Sequence, residues 1–331
     1  VGESGSGKSV MAIGPLARLN APGLLASLDR YPYGCTEQMT SRALPLLYFD
    51  EVARVMDLKG AENIQTRIDE AIVEILANQG SEGGFGLWGA GSGDMWLDAF
   101  VTDFLSRAKA QGYAVPDLAL KNALTNLRNQ VNYAPDFDSS VNGGGTALAY
   151  ALMVLSREGA AAIGDLRYYA DVKGDEFATA VAQAQLGAAL ASYGDQTRAD
   201  AMFRKAGARM SALLTTESKQ VWRADYGTNY RDAAALLTLA VEAGSQAVDR
   251  EALTDRIAIQ GGHLSTQEAT WALLAANALI DRPDTSGIKI DGAPATGPLV
   301  KVLTDGQAPV VVTNDGQDTT ITISTYGVPT E

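Results

Sequence analysis

The 331-residue chain carries a formal net charge of −13, with 20% charged and 46% apolar residues. That balance is ordinary for a folded chain with a sizeable core, one large domain and room for a small second one. The acidic excess argues against a general nucleic-acid or anionic-membrane surface, and no apolar run approaches the ~20 residues that span a bilayer.

In chain order, Gly2-Glu3-Ser4-Gly5-Ser6-Gly7-Lys8-Ser9 satisfies the phosphate-loop pattern, whose backbone amides would cradle a nucleotide. The mechanism needs a strand before the loop and a helix after it. Only Val1 precedes, Pro15 soon follows, and no parallel βαβ order comes later. The segment therefore reads as a flexible Gly/Ser stretch, with no nucleotide or other cofactor implied.

Tyr31-Pro32-Tyr33-Gly34-Cys35-Thr36-Glu37-Gln38 holds the only cysteine. A lone cysteine cannot close an internal disulfide, so Cys35 is either an inert buried thiol or a group with chemistry of its own. Residues three apart meet on one helical turn, which brings Gln38 within reach. Attack of the sulfur on the Gln38 side-chain amide carbon, with loss of ammonia, would join the two as an internal thioester. Gly34 would allow close backbone approach or a positive φ just before the thiol. Tyr31, Tyr33 and Met39 would keep the bond dry, since water hydrolyses an exposed thioester. Glu37 stands beside them as a supporting residue.

Apolar residues then recur at helical spacing over 65–76, 96–110, 118–131, 146–157, 177–191, 196–213, 230–243 and 266–280. Gly-rich or aromatic turns precede several of these, followed by Thr, Asp or Ser near the helix start. Ser265 and Glu268 have the spacing of a capping box. The repeat is irregular in length, which favours paired helices closing into a ring over a linear solenoid.

Phe85, Trp88, Trp96, Trp222 and Trp271 read as core. Asp94, Asp98, Asp103, Asp225, Asp232 and Glu268 show no spacing that singles out a catalytic pair, and most read as helix-start or surface acids. His263, the only histidine, reads as an ordinary loop residue. One cysteine and one histidine make an ordinary zinc site improbable.

From Pro283 the chain changes character. β-branched runs at 288–290, 299–303, 309–313 and 319–324 alternate with Asp291-Gly292, Asp305-Gly306 and Asp315-Gly316, which are hairpin signals. The expected organisation is a leading segment over 1–13, a helical domain over 14–282, and a small antiparallel β unit over 283–331.

The Cys35 motif, the run from Pro22 to Leu28 before it and Ser41-Arg42-Ala43-Leu44-Pro45-Leu46 after it together resemble the thioester region of bacterial alpha-2-macroglobulins. The resemblance continues in Gly83-Gly84-Phe85-Gly86-Leu87-Trp88, in the stretch from Trp96 to Leu105, and in Ser265-Thr266-Gln267-Glu268-Ala269-Thr270-Trp271. It covers roughly residues 14–280. Thr36 departs from the animal members of the superfamily, which usually carry Gly there.

The resemblance implies a mainly α fold, an α/α toroid of helical hairpins inserted into a β domain, to which residues 1–13 would add a strand. It implies a Cys35–Gln38 thioester that acylates a lysine amine of an attacking protease once a bait segment elsewhere in the parent is cut. That is a single-use covalent trap, not a turnover enzyme. It also implies an excerpt of a longer periplasmic chain, of a kind often lipid-anchored in bacterial relatives, whose other macroglobulin domains are partners. The partners expected are target proteases, with no nucleic acid and no direct membrane contact by this stretch. Two other classes compete: a toroid enzyme acting on carbohydrate or isoprenoid, and a helical interaction module whose Cys35 is never acylated.

Overall fold

Helices separated by short glycine-containing turns build most of the chain. The computed structural model describes residues 8–31, 34–55, 64–215, 223–258, 263–280, 287–295, 299–304 and 307–326. A strand, β1 (Lys8–Ile13), leads into α1 (Pro15–Arg18), α2 (Ala21–Asp29), α3 (Thr36–Leu46), α4 (Asp50–Val55) and α5 (Ile64–Leu76). Then come α6 (Met95–Ala110), α7 (Asp117–Asn132), α8 (Thr146–Arg157), α9 (Ile163–Val172) and α10 (Ala180–Ser192). The helical run ends with α11 (Gln196–Thr215), α12 (Asn229–Glu242), α13 (Arg250–Ala258) and α14 (Thr266–Ile280).

The order of packing makes a ring. α3 lies on α6, α6 on α8, α8 on α10, α10 on α12 and α12 on α14, and α14 returns to α3. An outer layer covers it, with α5 on α3, α7 on α6, α9 and α11 on α10, α13 on α12, and α2 on α14. This is the α/α toroid. The inner helices α10, α12 and α14 are rich in buried alanine, whose small side chains let helices approach on both sides. A helix buried nearly all round in this way belongs to a core.

Strands β2 (Ile288–Ile290), β3 (Ala293–Pro294), β4 (Val300–Leu303), β5 (Val312–Asn314) and β6 (Ile321–Tyr326) follow. They form two antiparallel three-stranded sheets, in the orders β4-β1-β6 and β3-β2-β5. Side chains alternate across β1. Val10 and Ala12 join the helical core, while Met11 and Ile13 form a second apolar cluster with Ile288 and Leu299. Burying each large side chain there contributes roughly 1.5–3 kcal/mol. Asp291 and Gly292 both take positive φ between β2 and β3, as a two-residue hairpin turn requires.

Several expectations are corrected. α10 starts at Ala180, not 177, because Thr179 accepts a bond from the Ala182 amide as its cap, and Phe177 is buried in the preceding turn against Phe137. Helices α9 and α13 carry few buried apolar residues, so their periodicity is weak. Trp88 is 74% exposed, whereas Phe85, Trp96 and Trp271 are buried. Trp222, Asp305-Gly306 and Gly2 to Gly7 lie outside the described residues.

The acids change most. Asp98, Asp103, Asp225 and Asp232 are buried rather than surface groups, although Asp98 and Asp232 do stand in the first turns of α6 and α12. Asp103 accepts bonds from Arg107 (2.9 Å), Tyr150 (2.8 Å) and Arg157. Burial alone would raise its pKa, but the two guanidiniums hold it down to about 2. Asp225 and Asp232 share Arg223 and Arg231.

Candidate acyl site

Cys35 is the N-cap of α3, extended at φ −69° and ψ 162°. Its side chain accepts from the Gln38 backbone amide, and Gln38 Oε1 accepts from the Cys35 backbone amide at 3.2 Å. This is a capping box in which sulfur stands where a hydroxyl usually does. It brings the thiol and the Gln38 carboxamide onto one helical turn.

Cys35 is in no disulfide and is 5% exposed. Burial pushes its pKa up; the Gln38 amide opposes that push, and the charge of Glu37 adds to it. A thiol raised this way holds its proton at neutral pH, unlike the lowered pKa of redox and nucleophilic cysteines.

The two residues between them fix the turn in space. Thr36 is fully buried. Its backbone amide donates to Leu87 O at 2.9 Å, and its hydroxyl donates to Gly86 O at 2.6 Å and accepts from Asn78 Nδ2 at 2.8 Å. The loop after α5 is thereby clamped to the start of α3. The loop is held in turn by Asp98, which accepts from the Phe85 amide (2.7 Å), Asn126 (2.9 Å) and Gln130 (2.6 Å).

Glu37 is buried and points the other way, to the start of α14. Its carboxylate accepts from Gln267 Nε2 (2.7 Å), Ser41 Oγ (2.7 Å) and Thr266 Oγ1 (3.1 Å). Thr270 Oγ1 adds a bond to Ser41 O at 2.8 Å. A carboxylate at two helix N-termini also meets the positive ends of both dipoles. Glu37 thus ties α3 to α14 and closes the ring beside the sulfur.

A third segment reaches the site from α12. Tyr226 takes φ +52°, unusual for a residue with a bulky side chain. It is held by its neighbours: Asp225 binds Arg223 and Arg231, and a Cβ at Gly227 would fall 2.0 Å from Arg231 Nη2. Only glycine allows the arginine that close. The Tyr226 ring lies 5.1 Å from that of Trp96. Burial raises its pKa, and the charges of Asp94, Glu37 and Cys35 add to that. Through Asp225 O, Arg231 and Gln267 the segment is tied to Glu37.

The profile of the A-macroglobulin TED domain matches residues 9–141. The alpha-2-macroglobulin of Escherichia coli K12 is 33% identical over 282 residues, which are 80% of this chain and 16% of that protein. The native E. coli alpha-2-macroglobulin seen by cryo-electron microscopy matches 99% of this chain at a TM-score of 0.78 and 28% identity. Salmonella alpha-2-macroglobulin reacted with methylamine matches 98% at 0.77 and 30% identity. The chain belongs to the bacterial alpha-2-macroglobulin family. It spans 16% of the E. coli relative's length, and 22% of each of the two structural neighbours.

Within this TED domain the residues expected at the site fare unequally. Cys35, Gln38 and Glu37 are brought together as described. Tyr31 is half-buried and follows α2, its amide donating to Leu28 O at 3.2 Å. Tyr33 lies outside the described residues. Met39 lines a cleft between α3 and α5 with Arg42, Leu46 and Arg67.

The expectation for Gly34 is corrected. It does not take a positive φ, and a Cβ there would meet nothing within 4 Å, because the extended Cys35 itself makes the turn into the helix. His263 is exposed in the segment before α14. The Ser265–Glu268 capping box forms, with reciprocal bonds of 2.8 and 3.2 Å. Thr36, Asn78, Gln267 and Tyr226 are the site residues that the sequence left unread. Thr36 and Gln267 stand inside quoted motifs, but nothing local indicates their partners.

Proposed function

We propose that this TED domain carries a Cys35–Gln38 thioester and acts as the covalent arm of a protease trap. The reciprocal Cys35–Gln38 pairing at the N-cap of α3 carries the reading, because it sets sulfur and amide carbon on one buried turn. Formation releases ammonia. In the transfer, a lysine nitrogen of the captured protease attacks the Gln38 acyl carbon. The carbon–sulfur bond breaks and an isopeptide bond forms. The ammonium gives one proton to water and a second to the departing sulfur, whose raised pKa favours the thiol.

The Salmonella relative reacted with methylamine, and E. coli relatives activated by trypsin and by porcine elastase, support the same assignment here. Bait cleavage, the remaining macroglobulin domains and a periplasmic parent belong to this reading, and cell fractionation tests the last. Each carrier is consumed once, so no turnover is expected. The toroid-enzyme alternative is weakened because Asp103, Asp225 and Asp232 are committed to arginines.

Incubating the parent protein with trypsin should give a denaturant-stable adduct whose digest contains Gln38 joined to a protease lysine. Cys35→Ser should abolish it. An adduct that survives Cys35→Ser, or one linked elsewhere, would overturn the assignment.

A further inference from the structure

Beside the acyl rim lies a cleft of about 230 Å³, walled by Met95, Trp96, Pro135, Phe137 and Leu148, with Asp94 also among its lining residues. It is smaller than the ~300–1,000 Å³ typical of small-molecule sites, and suits a single side chain. Trp96 belongs to the cleft wall and also packs against Tyr226, whose neighbour Asp225 is tied through Arg231 and Gln267 to Glu37, two residues from Cys35. The Trp96–Tyr226 pair thus joins the cleft wall to the segment tied to the acyl turn.

The charges at the cleft are selective. Asp225 also lines it, but its carboxylate is buried and bound by Arg223 and Arg231. Asp94 is exposed, and one of its oxygens caps α6 by accepting from the Leu97 amide at 2.8 Å. Its other oxygen has no hydrogen-bond partner among the described residues. An apolar, aromatic-walled slot with one carboxylate complements a flexible alkyl stem ending in an ammonium. Aromatic faces add a favourable cation–π term, and an alkyl stem lies well along apolar walls.

We propose that this cleft receives the lysine side chain of the captured protein, with Asp94 as the positioning residue that holds the ammonium before it passes Tyr226 to the Gln38 acyl carbon. The inference rests on the thioester reading above and adds the route and selectivity of the nucleophile. Asp94 holds the nitrogen only before attack and makes no bond to it, to Gln38 or to Cys35 during the transfer. The ammonium loses one proton to water before attack, and the balance of the transfer is unchanged.

Asp94→Asn keeps an oxygen for the helix cap and removes the charge; Asp94→Ser does the same with a different cap. In the parent protein, thiol release from Cys35 would be timed with n-butylamine, a cation at neutral pH, and with hydroxylamine, which is neutral there. Both variants should slow n-butylamine by roughly three- to fivefold at low salt, the scale of an exposed charge pair. High salt should shrink the difference, and hydroxylamine should react at the parental rate. Unchanged n-butylamine rates would overturn the proposal. An equal slowing of both nucleophiles would also overturn it, marking Asp94 as purely structural or the cleft as a seat for a neighbouring domain. Failure of both nucleophiles to release thiol from the parent would instead remove the thioester reading, and this proposal with it.

Discussion

The two ends of α6 handle buried negative charge differently. At the end beside Cys35, Asp98 is 1% exposed and is satisfied by a backbone amide and two carboxamides. Glu37, across the rim on α3, is likewise held by a carboxamide and hydroxyls. Toward the other end, Asp103 is paired with Arg107 and Arg157, and Arg107 reaches on to Glu242 and Tyr48. Long charged side chains stitch α6, α8 and α12 together there. Neutral donors at the acyl end fix a loop and a helix start while leaving the carboxylate charge uncompensated. One end is thus built for cohesion, and the other for precise placement within a negative field that attracts cations.

The largest expected effect of breaking this contrast is at the ion-paired end. Arg107→Ala strips the fully buried Asp103 of one cation and should destabilise the fold by about 3 kcal/mol. Denaturant unfolding would measure it, and the rate of thiol release by methylamine should not change. Asp98→Asn is the converse. It sets an amide NH₂ among three donors and should lose roughly 1–3 kcal/mol, while speeding spontaneous hydrolysis of the acyl bond because the loop over Thr36 loosens. A variant that hydrolyses at the parental rate would separate that loop from the site.

Thr36→Val removes the hydroxyl bonds to Gly86 O and leaves the Asn78 amide group unpaired. A loss of about 1–2 kcal/mol is expected, with the same faster hydrolysis, read by thiol appearance over time. The smallest effect is in pH dependence, where the two ends should move oppositely. Asp103 has a folded pKa of about 2, below the ordinary carboxylate value. Its contribution is therefore full above pH ~4 and falls away as pH drops toward 2. The Asp98 pKa is raised by burial, against the bonds from Phe85, Gln130 and Asn126. Its contribution is present below pH ~4 and is lost as pH rises through the raised value. Carboxyl NMR titration would show both, and shifts in the same direction would break the comparison.

Much of the ring was legible from helical periodicity, because α6, α8, α12 and α14 each carry long apolar faces between capping signals. The Cys35–Gln38 pair was legible too, being local: a three-residue spacing at a helix start needs no long-range information. What surrounds it was not. Glu37 meets Gln267 across 230 positions and Thr36 meets Gly86 across 50, and periodicity tells which face is buried but not against what. Tyr226 was hidden further, since its placement depends on a positive φ and on arginines packed against Gly227. The buried aspartates were misread for a related reason. A lone acid looks solvated until its arginine, 54 residues away in the case of Asp103 and Arg157, is seen beside it.

The most direct test of the acyl-donor assignment is the intact mass of the freshly purified protein before and after methylamine. The account predicts a mass lighter than the sequence by one ammonia. Methylamine should then add its full mass, with one titratable thiol appearing at Cys35. A starting mass equal to that of the unmodified sequence, with no change on adding the amine and no new thiol, would contradict it.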